Sequence, residues 1–376
     1  MSVINFLVFL IHFLLMVTIA SYAVDEFLAS TTMAGLVAGI FIIGALIGRL
    51  VIGRIIEEVG SKRILVIATG IYIITSALYL AAADLPLLIL VRLVNGMAFG
   101  AASTATGTIV AQIIPPGRRG EGIGYYSMGA IIAIALGPFI GVFLIQIAYF
   151  KMIFIVSTIL AAVSFAISFI PGEPVYHKGD KETREKYFRL SGFLEFKVIP
   201  ISIIILVIGF SYSGVITFIS LFAKEFQLEK AAGFYFLVYS LTVLASRPFS
   251  GRLFDLKGAH FIAYPCLILY AAGMLLFSQA SGCFTLLSAA VIIGLGYGNF
   301  ISCAQATAIK AVPVHRMGLA TSTFFIFVDL GFGVGPYLLG ALLSLTGYRG
   351  LYLIMSGLIL ATVLLYYFLL GRKTAK

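Results

Sequence analysis

Charged side chains are scarce in this chain. Lys, Arg, Asp and Glu together make up 11% of its 376 residues, whereas 61% of the residues are hydrophobic. A water-soluble domain of this length needs far more charge on its surface, so the composition excludes the soluble globular classes. The sequence therefore predicts a polytopic membrane protein.

Cysteine is scarcer still. The three cysteines, Cys266, Cys283 and Cys303, lie in or beside apolar runs, without the spacing of metal ligands or of a disulfide framework. Their positions favour packing roles over redox chemistry. We expect neither a metal nor a cofactor.

Nucleotide-binding signatures are missing as well. There is no P-loop, and the Gly-x-Gly-x-Gly strings at 120–124, 294–298 and 331–335 neither follow a strand nor open a βα unit. The sequence also offers no cluster of catalytic residues, so it does not predict an enzyme. Any transport by this chain would draw on an ion gradient or run downhill.

Long apolar runs fill most of the chain. As a helix, each run is long enough to cross roughly 30 Å of hydrocarbon. We predict an all-α integral membrane protein with twelve transmembrane helices. The predicted spans are residues 2–24, 33–54, 64–83, 86–112, 123–145, 149–171, 198–223, 232–252, 261–280, 283–311, 318–345 and 348–371.

Basic residues mark one side of the membrane. Of the 25 Lys and Arg, 18 fall in or at the edge of alternate connections and four fall in the opposite connections. Basic connections face the cytoplasm in membrane proteins. We therefore expect a multi-pass protein of the cell (inner, cytoplasmic) membrane, surrounded by the lipid bilayer, with both termini cytoplasmic. This distribution accounts for the net charge of +10 without nucleic acid as a partner.

The longest polar segment divides the chain into two parts. It spans residues 171–197 and follows the sixth apolar run. We predict an N-terminal six-helix bundle at 1–171, a cytoplasmic linker at 172–197 and a C-terminal six-helix bundle at 198–376. The linker is nearly neutral, which favours a solvated connection over a regulatory site.

The two halves repeat one another. Because an even number of helices separates the copies, the halves have parallel topology, as in two-halved secondary transporters. We expect two pseudo-symmetric bundles. A shift of 198 residues aligns Arg49 with Arg247, Gly53 with Gly251, Arg54 with Arg252, Glu57 with Asp255, Gly60 with Gly258, Gly96 with Gly294, Gly100 with Gly298, and Gly137-Pro138 with Gly335-Pro336.

The stretch GRIIEEVGSKRIL, which begins at Gly53, resembles the signature between helices two and three of the major facilitator superfamily. Glu57 and Glu58 replace the Asp and the basic residue usual there. The resemblance implies a cytoplasmic latch, in which the acid and the bases hold one arrangement by pairing or by contacting helix ends. Alternatively, the charges only fix topology. The predicted latch residues are Gly53, Arg54, Glu57, Gly60, Arg63, Gly251, Arg252, Asp255 and Gly258.

Two further stretches carry the same resemblance. RLVNGMAFGAA, from Arg92, is similar to the fourth-helix motif of the family, with Asn95 for the usual Gln. Gly124, Gly137, Pro138 and Gly141 match the helix-five signature of its drug:proton antiporter branch, which has twelve helices. By its composition alone, such a helix is either a gating hinge or a close-packing surface.

One carboxylate, Asp329, lies in the middle of an apolar run. A charge near the bilayer midplane costs at least about 2.5 kcal/mol on insertion scales, and the repeat partner of Asp329 is the neutral Ile131. We interpret Asp329 as a protonation site facing the cavity. The alternative is a carboxyl that fixes helix packing.

Two more groups are candidates for proton coupling. The repeat partner of Arg92 is Ala290, so this arginine is also specific to one half, and the resemblance implies a role for it in proton transfer. His12 lies midway along the first helix. Among side chains, histidine has the unperturbed pKa best suited to gaining and losing a proton near neutral pH. A histidine that is simply hydrogen-bonded within the bundle is the alternative.

The resemblance implies a central cavity lined by helices one, four, seven and ten. We predict that small-molecule substrates contact polar and aromatic side chains there, although serines and threonines also serve helix association. A weakly polar, aromatic cavity suits amphipathic solutes. The predicted cavity residues are Thr106, Tyr212, Thr217, Asn299 and Gln305.

The sequence as a whole predicts a monomeric secondary transporter. We expect proton-coupled efflux of small amphipathic organic compounds, including drugs, by alternating access of two halves. The alternatives are a dedicated exporter of one metabolite, metallophore or sugar, and an uncoupled facilitator.

Overall fold

The computed structural model describes residues 1–147, 150–170 and 193–371. Most of the predicted linker, together with Arg372, Lys373 and Lys376, lies outside these residues. The described residues form twelve helices, which confirms the predicted all-α class. They are α1 Ser2–Phe27, α2 Thr31–Val59, α3 Ser61–Leu78, α4 Leu85–Ile113, α5 Arg119–Ile147, α6 Phe150–Ser168, α7 Ile199–Glu225, α8 Glu229–Lys257, α9 Ala259–Ser278, α10 283–310, α11 317–346 and α12 348–369.

Ten helical segments of the described chain are long and apolar enough to cross a membrane. One of these segments contains both α11 and α12, which are separated only by the non-helical backbone of Gly347. Helix α8 is not among the ten, since Arg247, Pro248 and several serines and tyrosines lower its mean hydropathy. With these two points resolved, the helices correspond to the twelve predicted spans.

The segment predicted to turn between α2 and α3 is largely helical. Gly53 lies inside α2, which continues to Val59, and only Gly60, at φ 91°, leaves the helical conformation. The second half behaves alike, because α8 includes Gly251 and ends before Gly258, at φ 86°. The helices therefore extend beyond the predicted boundaries at 54 and 64, because a single glycine with positive φ is sufficient to reverse the chain.

The described chain groups into two compact units. The first comprises Met1–Ile113, Tyr126–Glu195 and Val312–Phe325, and the second comprises Ile114–Tyr125, Phe196–Ala311 and Ile326–Lys376. The first unit thus includes the start of α11, and the second includes the start of α5. The boundaries at 171 and 198 stay a prediction from the sequence.

Glycines determine the close packing of α2 and α4 in the first unit. A Cβ at Gly44 or Gly48 would overlap the backbone of α4, and a Cβ at Gly96 or Gly100 would overlap the backbone of α2. Four small residues at four-residue spacing thus let the two backbones touch, as in membrane helix pairs generally. This contact places the N-terminal part of α4, which includes Arg92, next to α2.

In the second unit, α10 contains a π-helical turn at Gly294–Gly298. Its middle glycine, Gly296, lies so close to α9 that an added Cβ would be 2.7 Å from the carbonyl oxygen of Cys266. Such turns are rare and occur often at functional sites. Tyr297, inside the turn, stacks on Tyr212 of α7 with 4.1 Å between ring centroids. The turn therefore joins α10 to an aromatic cluster in the core of this unit.

Candidate functional site

Arg92 and His12, two of the three predicted proton-coupling residues, meet at one aromatic ring. The Arg92 side chain is fully buried; its Nε donates to the carbonyl oxygen of Val37 at 3.3 Å, and its guanidinium carbon lies 4.6 Å from the ring centroid of Phe41. His12 stacks on the same ring at 4.5 Å with 18° between the planes. The structure thus brings these two groups together, and Phe41 is the link that the sequence analysis missed.

Asp329 belongs to the second unit. It lies twelve residues after the start of α11 at Met317, about 18 Å along the helix axis. Its side chain is neither fully buried nor fully exposed. The following residues pack α11 against α7, because a Cβ at Gly331 would be 2.7 Å from the carbonyl oxygen of Leu206. The carboxylate is therefore on a helix held firmly to its neighbour.

Glu57, predicted for the latch, contacts the start of α11 within the first unit. Its Oε1 accepts a hydrogen bond from the backbone N–H of Gly318 at 2.8 Å. A carboxylate at this position complements the partial positive charge of the helix N-terminus. Close by, Gly53 is buried, and an added Cβ would be 2.5 Å from the Oγ of Ser322.

The basic residues of the same motif lie at the surface. Arg54 and Arg63 are exposed, and the guanidinium of Arg54 lies 5.0 Å from the ring centroid of Phe193. A nearby ion pair joins Arg316 to Glu195 at 2.6 Å. Around Glu57, then, the helix end is contacted by the acid, whereas the exposed bases point away from the core.

Asp255 makes the corresponding contact in the second unit. Its two carboxylate oxygens accept hydrogen bonds from the backbone N–H groups of Gly120 at 2.9 Å and Glu121 at 3.0 Å, at the start of α5. Lys310 adds an ion pair at 3.0 Å. Arg252, the basic residue of this copy, is exposed. Each unit therefore holds the first turn of one helix through a carboxylate from the repeated motif.

The residues of the helix-five motif belong to two different units. Gly137 and Gly141 pack on α1, because an added Cβ would be 2.6 Å from Cβ of Phe13 and 3.0 Å from Cγ2 of Thr18, respectively. Pro138 lies between them inside the continuous helix. Gly124 belongs to the second unit, where an added Cβ would meet Cδ of Arg247 at 3.9 Å.

Two predicted cavity residues, Thr106 of α4 and Asn299 of α10, lie in hydrogen-bond networks. Thr106 is within 2.9 Å of the hydroxyl of Tyr126, which itself donates to the side chain of Asn5 at 3.0 Å. Asn299 donates to Ser246 at 2.9 Å and to the backbone of Leu295 at 3.0 Å. These polar groups are already satisfied by protein partners, which favours helix association for both.

The remaining predicted cavity residues differ in exposure. Gln305 on α10 and Tyr212 on α7 are buried, whereas Thr217, one and a half turns beyond Tyr212, is exposed. The side chain of Tyr212 interacts with that of Tyr239, and the two rings stack with 5.5 Å between their centroids.

Two further charged residues were not singled out from the sequence. Arg49 on α2 and Arg247 on α8 are both 1% exposed, and they are repeat partners. The guanidinium of Arg49 lies 4.6 Å from the ring centroid of Phe325. The signal was available: apart from Arg92, these are the only basic residues of the chain outside the connections and their edges.

Comparisons with known proteins agree with this architecture. The sequence profile described as "Major Facilitator Superfamily" matches residues 1–329 and 233–376. The staphylopine export protein of Staphylococcus aureus is 23% identical over 351 residues, covering 90% of this chain and 87% of that protein. The multi-drug resistance efflux pump PmrA of Streptococcus pneumoniae is 24% identical over 327 residues, covering 85% of this chain and 81% of that protein. The crystal structure of the human organic anion transporter MFSD10 superposes with a TM-score of 0.79 at 15% identity, covering 97% of each chain.

Proposed function

The chain belongs to the Major Facilitator Superfamily, and we propose that it exports small amphipathic organic compounds in exchange for protons. It is a transporter and not an enzyme. Similar proteins include a multi-drug resistance efflux pump and the staphylopine export protein, which supports the direction of transport that we propose. We further propose that the chain is a monomer in the inner (cytoplasmic) membrane of the cell. Both of its termini then lie in the cytoplasm.

The observation that carries the proton coupling is the position of Asp329. This carboxylate lies about 18 Å along α11 and is its only acidic residue. A single acidic group at such depth is costly unless it serves a purpose. We assign it the binding of a proton from the outside, which displaces the substrate, and the release of that proton to the cytoplasm.

Arg92 and His12 form a second part of the same proposal. The guanidinium of Arg92 and the imidazole of His12 share the ring of Phe41, and the Nδ1 of His12 has no hydrogen-bond partner among the described residues. A buried polar atom without a partner favours a state in which a water or another polar group reaches it. We assign this pair the transfer of protons within the first unit.

The carboxylates of Glu57 and Asp255 provide the gate. Each accepts backbone hydrogen bonds from the first turn of a helix, Gly318 of α11 for Glu57 and Gly120 of α5 for Asp255. Charge-assisted bonds of this kind stabilise one arrangement of the helix ends. Breaking them would permit the substrate path to open on the basic side of the membrane.

The test is proton release from purified protein upon addition of cationic dyes, antibiotics and metallophores at several pH values. Wild type is compared with Asp329→Asn, and Glu229→Gln, an exposed residue at the start of α8, is the matched control for loss of one acidic charge. We expect release from wild type and the control but not from Asp329→Asn. Binding without proton release in all three proteins would contradict the coupling and favour a facilitator.

A dedicated exporter of one compound is the second candidate. It is favoured by the similarity to the staphylopine export protein, which covers 90% of this chain. Competition binding distinguishes the two functions. A polyspecific exporter binds several unrelated compounds, and each of them displaces the others. A dedicated exporter binds only one chemical class, which would be a metabolite, a metallophore or a sugar.

A further inference from the structure

Arg247 is a buried cation to which no described residue offers a hydrogen-bond acceptor. Its side chain is 1% exposed, and its Nε and both Nη atoms make no hydrogen bond with any residue that the structure describes. Its surroundings are the hydroxyl of Tyr239 and the thiols of Cys266 and Cys303, which interact with it electrostatically and are neutral groups. A guanidinium that is fully removed from water and left unpaired is expensive, because it loses its hydration without compensation.

Another unused hydrogen-bond donor occurs in the same unit. The hydroxyl of Tyr235 is buried and has no hydrogen-bond partner within the described chain. Tyr212 stacks on Tyr239 with 5.5 Å between the ring centroids, and Tyr239 in turn lies near Arg247. The unit thus combines a planar, five-donor cation with aromatic surface, and none of the described residues provides a hydrogen-bond acceptor for that cation.

A small cleft with space for about one water molecule lies beside Arg247. On α5, a Cβ built at Gly124 would meet only Cδ of Arg247, at 3.9 Å, so this side of the guanidinium stem is not filled by α5. The residues that line the cleft include Asn299 and Cys303. Ser250 also lines this cleft and donates from its Oγ to the carbonyl oxygen of Arg247 at 3.2 Å, so the cleft and Arg247 are neighbours.

The charge of the helix interiors has the same sign. Three arginines, Arg49, Arg92 and Arg247, lie outside the connections, whereas Asp329 is the single acidic residue at comparable depth. Cationic solutes would be repelled by such an interior. An anion would be attracted, and a carboxylate would match the fork of an arginine in two parallel hydrogen bonds.

We infer that Arg247 is the binding site for an anionic group, a carboxylate or a group of the same shape and charge, on an aromatic or amphipathic substrate. The tyrosine rings around Tyr212 contact the apolar part of this substrate, and the guanidinium binds its charge. This inference rests on the proposed function as an exporter and specifies the substrate class.

The test compares three probes of one shape on protein in nanodiscs of phosphatidylcholine, which carries no net charge. The probes are 1-naphthoate, the neutral 1-naphthamide and the cationic 1-naphthylmethylamine, with affinities from isothermal titration. We expect naphthoate to bind wild type about tenfold or more tightly than the amide, since a hydrogen-bonded charge adds that much. Equal affinities, a preference for the cation, or no binding of any probe would overturn the inference.

Variants assign the preference to one residue. Arg247→Gln should bind naphthoate no better than naphthamide, while its affinity for naphthamide stays that of wild type, and Arg247→Lys should retain part of the preference. Lys257→Gln removes a positive charge from the exposed end of the same helix and should change nothing. If Arg247→Gln lowers the affinities for naphthoate and naphthamide by the same factor, Arg247 is a structural residue and the inference fails.

A measurement on wild type covers the case that the variants do not fold. Cys266 and Cys303 lie beside Arg247, whereas Cys283 is exposed. Naphthoate should slow the reaction of Cys266 and Cys303 with N-ethylmaleimide and leave that of Cys283 unchanged, and naphthamide at the same concentration should have less effect. Equal reaction rates with and without naphthoate would overturn the site. Proton release that depends on Asp329 but is caused by cationic dyes would overturn the anion inference alone and leave proton exchange intact.

Discussion

The carboxylate of Asp255 accepts a hydrogen bond from the backbone N–H of Gly120 at 2.9 Å, and its second oxygen accepts one from Glu121 at 3.0 Å. With Lys310 at 3.0 Å, three donors converge on one side chain that is 8% exposed. Glu57, its repeat partner, accepts one backbone hydrogen bond, from Gly318 at 2.8 Å. The two copies of the motif therefore differ in strength, although the sequence presents them as equivalent.

Neutralising the two acids should consequently have unequal effects on stability. Asp255→Asn leaves one oxygen for two backbone donors and weakens the ion pair, so we expect a loss of about 1–3 kcal/mol in the free energy of unfolding. Glu57→Gln retains an acceptor for Gly318 and should cost less. The measurement is thermal unfolding of both variants in detergent, with Glu229→Gln as the control. An equal loss in both variants would contradict the asymmetry.

The packing of α5 on α1 predicts the effect of one methyl group. In Gly137→Ala the new Cβ would be 2.6 Å from Cβ of Phe13 and 3.0 Å from the backbone nitrogen of Leu14, so the helices must separate. Overpacking of this kind costs about 1–3 kcal/mol. We expect a lower midpoint of thermal unfolding and reduced transport.

Gly39→Ala is the matched control for this change. A Cβ at Gly39 meets nothing within 4 Å, and alanine favours a helix over glycine. Its midpoint should therefore equal or exceed that of wild type. If Gly137→Ala were as stable as Gly39→Ala, the motif on α5 would act as a hinge and not as a packing surface.

The ring of Phe41 should couple energetically to Arg92. A guanidinium 4.6 Å from a ring centroid in a desolvated site gains about 2 kcal/mol from the aromatic face. In a double-mutant cycle with Phe41→Leu and Arg92→Met, measured by unfolding, we expect a coupling energy of about 1–2 kcal/mol. A cycle on Phe143→Leu, an exposed residue of α5, and Arg92→Met should show none. Additive losses at Phe41 and Arg92 would contradict the contact.

The helices were predictable because their apolar runs are long, but the partners of the polar residues were not. The composition of α2 predicts a membrane span whichever residue Glu57 contacts, and its actual partner, Gly318, is 261 residues away along the chain. The repeat aligns Gly53 with Gly251 and Gly60 with Gly258, but only the structure shows that Gly53 provides a close approach and Gly60 the reversal. Local pattern determines which segments are helices, and only packing determines which face each residue occupies.

The buried arginines illustrate the same limit. Arg92 was predicted as a site residue because its repeat partner is neutral, whereas Arg247, which is matched by Arg49, was not among the predicted site residues. Yet matched residues have different surroundings: Arg49 faces Phe325, and Arg247 lies near Tyr239 and two thiols. Repetition of a residue therefore does not show that its role is shared between the halves.

Asn299, predicted to contact the substrate, should instead act on stability. Its amide nitrogen donates to Ser246 at 2.9 Å and to the carbonyl oxygen of Leu295 at 3.0 Å, and its oxygen accepts from Ser250 at 2.8 Å. The bonds to the two serines connect α8 to the turn of α10 that follows the π-helical segment. Asn299→Ala would leave the hydroxyl groups of two serines to find other partners in a buried setting, which costs about 1–3 kcal/mol.

The measurement separates a structural role of Asn299 from a binding role. We expect Asn299→Ala to lower the midpoint of thermal unfolding while the dissociation constant of any bound substrate stays within about twofold of wild type, because none of the polar atoms of Asn299 is left for a ligand. Gln305→Ala, on the same helix about two turns later and also buried, is the comparison, since it lacks this set of bonds. A tenfold weaker affinity in Asn299→Ala at unchanged stability would return this residue to the substrate cavity, and the hydrogen bonds to Ser246 and Ser250 would then have to break when the substrate binds.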